Sequence, residues 1–188
     1  MTESDNPWDG NDRDFDPVES LILSFKYDPQ AEKLFIAINY AAEVVDAYFR
    51  HRMVEGKSLD SWERPPTDFR GMCYTGVKDV LLNRLDPTRA NISWSDIEAK
   101  FKREARVITL YEQSNLHGRH HLKLKAQHGF EMEWTYNRLA VVRRLAMGED
   151  TADPERWIYK DITTQEIVDP LAPFSDDWAQ IDKWFGQV

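Results

Sequence analysis

The chain has 188 residues, 41% of them hydrophobic and 12% aromatic, and carries a net charge of −9. That apolar content excludes global disorder, because it can offset the entropy of ordering, and the length suits one domain with a sizeable core. No run approaches the roughly 18 uncharged apolar residues of a membrane span, the acidic start MTESDNPWDG lacks the features of a secretory signal, and Cys73 stands alone, which excludes an intrachain disulfide or a cysteine-based zinc ribbon.

These features lead us to expect a cytoplasmic protein, or one held within a virus particle, with no membrane partner. The charge is segregated. Residues 1–20 hold seven acids and one base, and 21–99 hold twelve acids and ten bases. Residues 100–144 hold ten bases and four acids, and 145–188 hold ten acids and three bases. A basic middle therefore sits between acidic ends.

In chain order, residues 1–16 read as a flexible acidic arm with Trp8 and Phe15 as its large apolar groups. Pro17 to Tyr27 suits a short helix or a strand. Asp28-Pro29 resembles a helix start, and Leu34, Ile38, Ala41, Val45 and Tyr48 then recur at helical spacing as far as Gly56. Pro65-Pro66 breaks the chain, and a helix weakened by Gly71 and Gly76 is predicted over 67–85.

Ser95 and Glu98 form a capping box for a helix through Ile97, Phe101, Ala105, Ile108 and Tyr111. His120 to Ala126 suits strand or helix, with helix preferred. A further helix is predicted over 130–147, bearing Trp134, Leu139, Val142 and Leu145. Trp157-Ile158-Tyr159 and Glu166-Ile167-Val168 suggest a small hairpin, and Ser175-Asp176-Asp177 caps a last short helix with Trp178, Ile181, Trp184 and Phe185. The expected fold is thus mainly α: four to six helices over 17–150, with the hairpin and the amphipathic helix over 151–188.

Chemistry-bearing groups are few. His117 and His121 have the i, i+4 spacing with which a helix can share a metal ion, although Arg119 and Lys123 would repel one. Glu43 and Asp46 form an ExxD pair suited to a hard cation. Helical magnesium-dependent nucleotide pyrophosphohydrolases add an ExxE pair on the preceding helix, which Glu19 and Glu32 do not supply. Arg119, Lys123, Lys125, Arg138, Arg143 and Arg144 could face phosphates, but acids interleave with the bases of this segment. Cys73 reads as a buried structural thiol.

With no complete catalytic constellation and no cofactor motif, the leading expectation is a non-catalytic protein–protein interaction or assembly protein. It would bind a partner, or itself as a homo-oligomer, through Trp8, Trp178, Ile181, Trp184 and Phe185. Small acidic chains with aromatic ends are common among virus- or plasmid-encoded accessory and structural proteins. Nucleic-acid binding through 100–144 is the alternative, and a metal-dependent hydrolase the third reading.

Overall fold

A computed structural model describes residues 17–40, 67–87, 90–103, 106–149 and 158–186, apart from the side chains of 100–103, 106 and 149. The fold is mainly antiparallel β, which overturns the helical expectation. The strands are β1 (Leu21–Asp28), β2 (Lys33–Asn39), β3 (Thr67–Thr75), β4 (Lys78–Leu82), β5 (Arg106–Leu116), β6 (Arg119–Ala126), β7 (Phe130–Tyr136), β8 (Arg138–Glu149), β9 (Ile158–Asp161) and β10 (Ile167–Val168). The described helices are α1 (Trp94–Arg103) and α2 (Trp178–Phe185), with a 3₁₀ turn at Gln127–Gly129.

The helical reading failed where apolar spacing had two interpretations. Leu34-Phe35-Ile36-Ala37-Ile38 is a continuous apolar run, and every member is buried in β2. A strand covered on both faces requires such a run. The apolar residues predicted to continue that helix beyond Tyr40 lie outside the described residues. In β7, Phe130, Met132, Trp134 and Tyr136 alternate with Glu131, Glu133 and Thr135, which is a period of two. Leu122, Leu124 and Ala126 alternate with Lys123 and Lys125 in the same way in β6. Gly71 and Gly76, awkward in a helix, lie in β3 and in the link after it. The predicted helix from Ser95 shrinks to α1, and Ile108 and Tyr111 belong to β5. The hairpin and last helix are present as β9–β10 and α2.

The strand order is β10-β9-β8-β3-β2-β1-β5-β6-β7-β4. Its middle closes on itself. β3 runs through Gly76 and Val77 into β4, and β7 runs through Asn137 into β8. β3 pairs with β8 from Thr75↔Arg138 to Thr67↔Ala146, and β4 pairs with β7 from Lys78↔Thr135 to Leu82↔Met132. These are two halves of one bent ribbon, so β3/β4, β2, β1, β5, β6 and β7/β8 form a ring. The narrowest seam joins β1 to β5 through Leu21↔Val107 and Ile22↔Arg106. Two backbone hydrogen bonds extend it: Glu19 N–H donates to Ile108 O (2.8 Å) and Ile108 N–H to Ser20 O (2.9 Å).

The ring encloses the larger core, with Ile22, Phe25, Leu34, Ile36, Met72, Tyr74, Ile108, Leu122 and Trp134 among its members. Tyr74 meets Trp134 and Tyr136 edge-to-face, both at 5.1 Å between centroids. Its hydroxyl shares a 2.9 Å hydrogen bond with Tyr111, whose oxygen also accepts from Gln113 Nε2. Beyond Ile22, β1 pairs only with β2 among the described strands. Helix α1 lies beside it there. Trp94 packs on Tyr27, and Glu98 accepts the Tyr27 N–H at 3.2 Å. Glu98 thereby satisfies a strand edge, and Ser95 lies inside a helix that already begins at Trp94.

The ribbon bends at Gly76 (φ +65°), where an added Cβ would lie 2.4 Å from Asn137 Nδ2 and 3.1 Å from Asn137 Cβ. Gly118 (φ +80°), in the β5–β6 turn, has nothing within 4 Å of that position. Gly118→Ala therefore incurs backbone strain alone, about 1–2 kcal/mol. Gly76→Ala should cost at least about 1 kcal/mol more in urea unfolding, because Asn137 must also move. Equal costs for the two variants would refute a tightly packed bend.

Candidate functional site

The residues expected to meet a partner or a phosphate fall into three groups. Trp8 lies outside the described residues. Residues 158–186 form a C-terminal strap: β9 and β10 extend the sheet beyond β8, and the segment carrying Phe174, Trp178, Ile181, Trp184 and Phe185 packs on the outer face of β2, β3 and β8. Ile181 is buried, and Trp178, Trp184 and Phe185 are partly buried against Phe35, Phe69, Val142 and Phe174. These side chains build a second core.

That core depends on small residues beneath it. Ala37, Gly71 and Val142 lie side by side on adjacent strands. A Cβ on Gly71 would approach Phe35 Cε2 to 3.0 Å and Phe174 Cε1 to 3.4 Å. Phe174 meets Phe35 and Trp184, with centroids 6.0 and 5.5 Å apart, and Phe185 meets Phe35 at 6.1 Å. Asp177 caps α2 by accepting the Ala179 N–H. Lys33 Nζ reaches Asp182 at 2.8 Å, tying α2 to β2.

An ionic clasp holds the strap to β8. Arg144 Nε donates to Asp161 Oδ2 at 2.8 Å, Nη1 to the Pro173 carbonyl at 2.9 Å, and Nη2 to Glu166 Oε2 at 3.1 Å. Its guanidinium lies 5.2 Å from the Trp184 ring centre. Burial would raise the Asp161 carboxyl. The N–H groups of Thr164 and Thr163, together with Arg144, outweigh burial and hold it below the ordinary carboxylate range.

Most of the other basic residues also have partners. Lys123 Nζ lies 2.8 Å from Glu133 and 3.3 Å from Glu131, and Lys125 Nζ lies 3.1 Å from Glu131. These contacts cross from β6 to β7, where Lys123↔Glu133 and Lys125↔Glu131 are register pairs. Arg84 joins Glu131 at 3.3 Å, and these three cations hold the Glu131 carboxyl down at about 2, against the desolvation that would raise it. Arg143 Nη2 lies 2.8 Å from Asp68 Oδ2, and Arg119 donates to the Gly76 carbonyl. Arg138 follows the bend at Asn137 and is exposed.

His117 and Gly118 form the β5–β6 turn, both at positive φ. His121 lies four residues on along a strand, bonded through Nδ1 to Ser114 Oγ at 3.1 Å and 3.5 Å from Glu133. The helical spacing that would bring the two imidazoles together is absent. Among the described residues no cluster of three or more His, Cys, Asp or Glu side chains could hold a metal ion. Glu43 and Asp46 lie outside the described residues. Cys73 is buried, which pushes its thiol up to about 11.

Sequence reading missed the exposed side of the strap. Ile162, Ile167 and Leu171 are 46%, 68% and 74% exposed, although they flank residues that are deeply packed. Ile167 precedes the buried Val168 on β10, so the alternation of a strand turns it outward. The β-prone run from Glu166 to Val168 was the available signal, because one of two adjacent apolar residues on a covered strand must face away.

No helix among the described residues is long and apolar enough to cross a membrane. No protein-family model, curated protein or solved structure matches the chain.

Replacing Arg144 with Met should leave Asp161 buried beside no cation and cost about 3–5 kcal/mol at neutral pH. Adding Asp161→Asn should recover part of that loss. The sign with pH follows from the depressed Asp161 carboxyl, whose stabilisation is present above the ordinary carboxylate value and lost as pH falls through its folded value. The Arg144→Met penalty should therefore hold near neutral pH and shrink as pH falls below about 4, the ordinary carboxylate value. A pH-independent penalty, read from urea midpoints, would assign the clasp to packing alone.

Proposed function

We propose that this is a non-catalytic interaction or assembly protein that meets a second copy of itself through the outer surface of its C-terminal strap. The observation that carries this reading is the concentration of Ile162, Ile167 and Leu171 on one ten-residue stretch. Grouped apolar side chains of this size on an anchored element mark contact surfaces, whereas scattered ones carry no such meaning. The strap is fixed from below by the clasp and by the Phe174 and Trp184 rings, so it offers a surface that needs little ordering on association.

Contact through side chains fits better than strand addition. β10 has only two residues and runs into Asp169-Pro170, which blunts the edge as a template. An apolar surface that meets its own copy about a two-fold axis needs no complementary charge. The aromatic residues expected to bind a partner directly would then act one layer below, holding the surface in place.

The test is sedimentation velocity of the full chain at about 10 and 300 µM, beside a variant carrying Ile167→Lys and Leu171→Lys. We expect the wild-type average mass to rise with concentration and the variant to stay monomeric with an unchanged melting temperature. A wild-type monomer at both concentrations, or a variant that associates equally well, would reject the proposal.

A further inference from the structure

The strand register brings a sulfur atom onto the strap surface. β8 continues past Ala146, where its pairing with β3 ends, and its next residue pairs with β9 as Met147↔Lys160. Lys160 pairs in turn with Ile167 of β10. Residues directly opposite one another on antiparallel strands share a face. Met147, Lys160 and Ile167 therefore form one row across three strands, with Met147 and Ile167 about 10 Å apart. The neighbouring row of Gly148, Tyr159 and Val168 faces the strap core, where Tyr159 and Val168 are packed. The Met147 row faces away from that core. Ile162 lies beside it, its N–H donating to the Leu145 carbonyl at 2.9 Å.

The sulfur atoms of the described residues differ sharply in access. Met147 is 36% exposed, whereas Met72 and Met132 are buried inside the ring. Cys73 is buried as well, and burial pushes its thiol up to about 11, so little of the reactive thiolate is present. An oxidant in solution therefore meets the Met147 thioether before these other three. The change it makes there is large. A thioether is a soft, adaptable apolar group suited to a contact surface. A sulfoxide is polar, and its oxygen needs a hydrogen-bond donor.

We propose that Met147 is an oxidation site that controls self-association: its thioether joins Ile162 and Ile167 in the contact surface, and its sulfoxide disrupts that contact. The inference rests on the reading of this surface as the place where two copies meet. The oxidant is a peroxide, represented by hydrogen peroxide. The sulfur lone pair attacks one peroxide oxygen, an S–O bond forms and the O–O bond breaks. The proton on the transferred oxygen passes to the departing hydroxide, which leaves as water. Sulfur is oxidised by two electrons and the peroxide is reduced by two. Thiol-dependent reduction of the sulfoxide reverses the change.

The test treats the full chain with hydrogen peroxide, locates the added oxygen by peptide mass spectrometry, and follows average mass by sedimentation velocity at about 10 and 300 µM. Met147 should gain oxygen before Met72 and Met132. It should do so faster at the lower concentration, where fewer copies cover it. Oxidation should weaken association about five- to hundredfold, the cost of burying a polar group without a partner, and leave the melting temperature unchanged. Met147→Leu keeps an apolar group and should associate with or without peroxide. Met147→Gln should associate weakly before any peroxide is added. Oxidation of Met72 or Met132 as fast as Met147, or peroxide that still disrupts Met147→Leu, would overturn the proposal. Association that Ile167→Lys with Leu171→Lys abolishes, but that oxidation of Met147 leaves intact, would reject the control and keep the interface. Unoxidised protein that stays monomeric at 300 µM would reject the interface, and the control with it.

Discussion

The bend at Gly76 and Asn137 is the constraint from which the rest of the architecture follows. A two-stranded ribbon kept straight would leave β3 and β8 in one sheet with no route to β4 and β7. Gly76 adopts a positive φ there, and Asn137 N–H donates to the Thr75 carbonyl at 2.9 Å, so pairing continues around the corner. Closure follows, and with it an apolar interior in which Tyr74 meets Trp134 and Tyr136 edge-to-face. Closure also explains why β1 and β4 keep uncovered edges. The ring is joined at a short β1–β5 seam, and α1 lies against β1 beyond it through Trp94 and Glu98.

The charges arrange themselves around that frame according to what each carboxylate can accept. Asp68 and Asp161 are both buried and both face arginine, yet their carboxyls move in opposite directions. Asp161 receives two backbone N–H groups from its own turn besides Arg144, and it ends below the ordinary range. Asp68 uses Oδ2 for Arg143 and Arg70, while Oδ1 has no hydrogen-bond partner among the described residues. Desolvation prevails there, and the carboxyl is raised. The deeper burial of Asp68 and the two fixed amides at Asp161 together decide the sign. As pH falls, Asp161 withdraws stability while Asp68 supplies it, because a raised carboxyl favours the fold in its protonated form.

What could be read from the sequence depended on whether a segment's period was unique. The hairpin and α2 were legible because β-branched and aromatic runs, and an Asp cap before Trp178 and Ile181, admit one reading each. Leu34 to Ile38 was not, since a strand buried on both faces satisfies every periodicity at once. β7 was legible in principle. Phe130, Met132, Trp134 and Tyr136 alternate strictly with acids and Thr135, whereas the helical spacing runs through Trp134, Leu139, Val142 and Leu145, which belong to two strands joined at Asn137. The basic segment was misleading for a related reason. Lys123 and Lys125 find Glu133 and Glu131 across a strand pair, a neighbour relation that linear spacing does not display.

This redistribution of charge bears on where recognition can occur. A basic face is useful to a polyanion only if its cations are unspent. Here Lys123, Lys125, Arg84, Arg143 and Arg144 each have a carboxylate within about 3.5 Å. Releasing them to phosphates would strand Glu131, Asp68 or Asp161, two of which are buried, and the net gain per contact would fall accordingly. The surfaces that association can use without such a cost are those whose groups are not committed to one another. On the strap these are Ile162, Ile167 and Leu171.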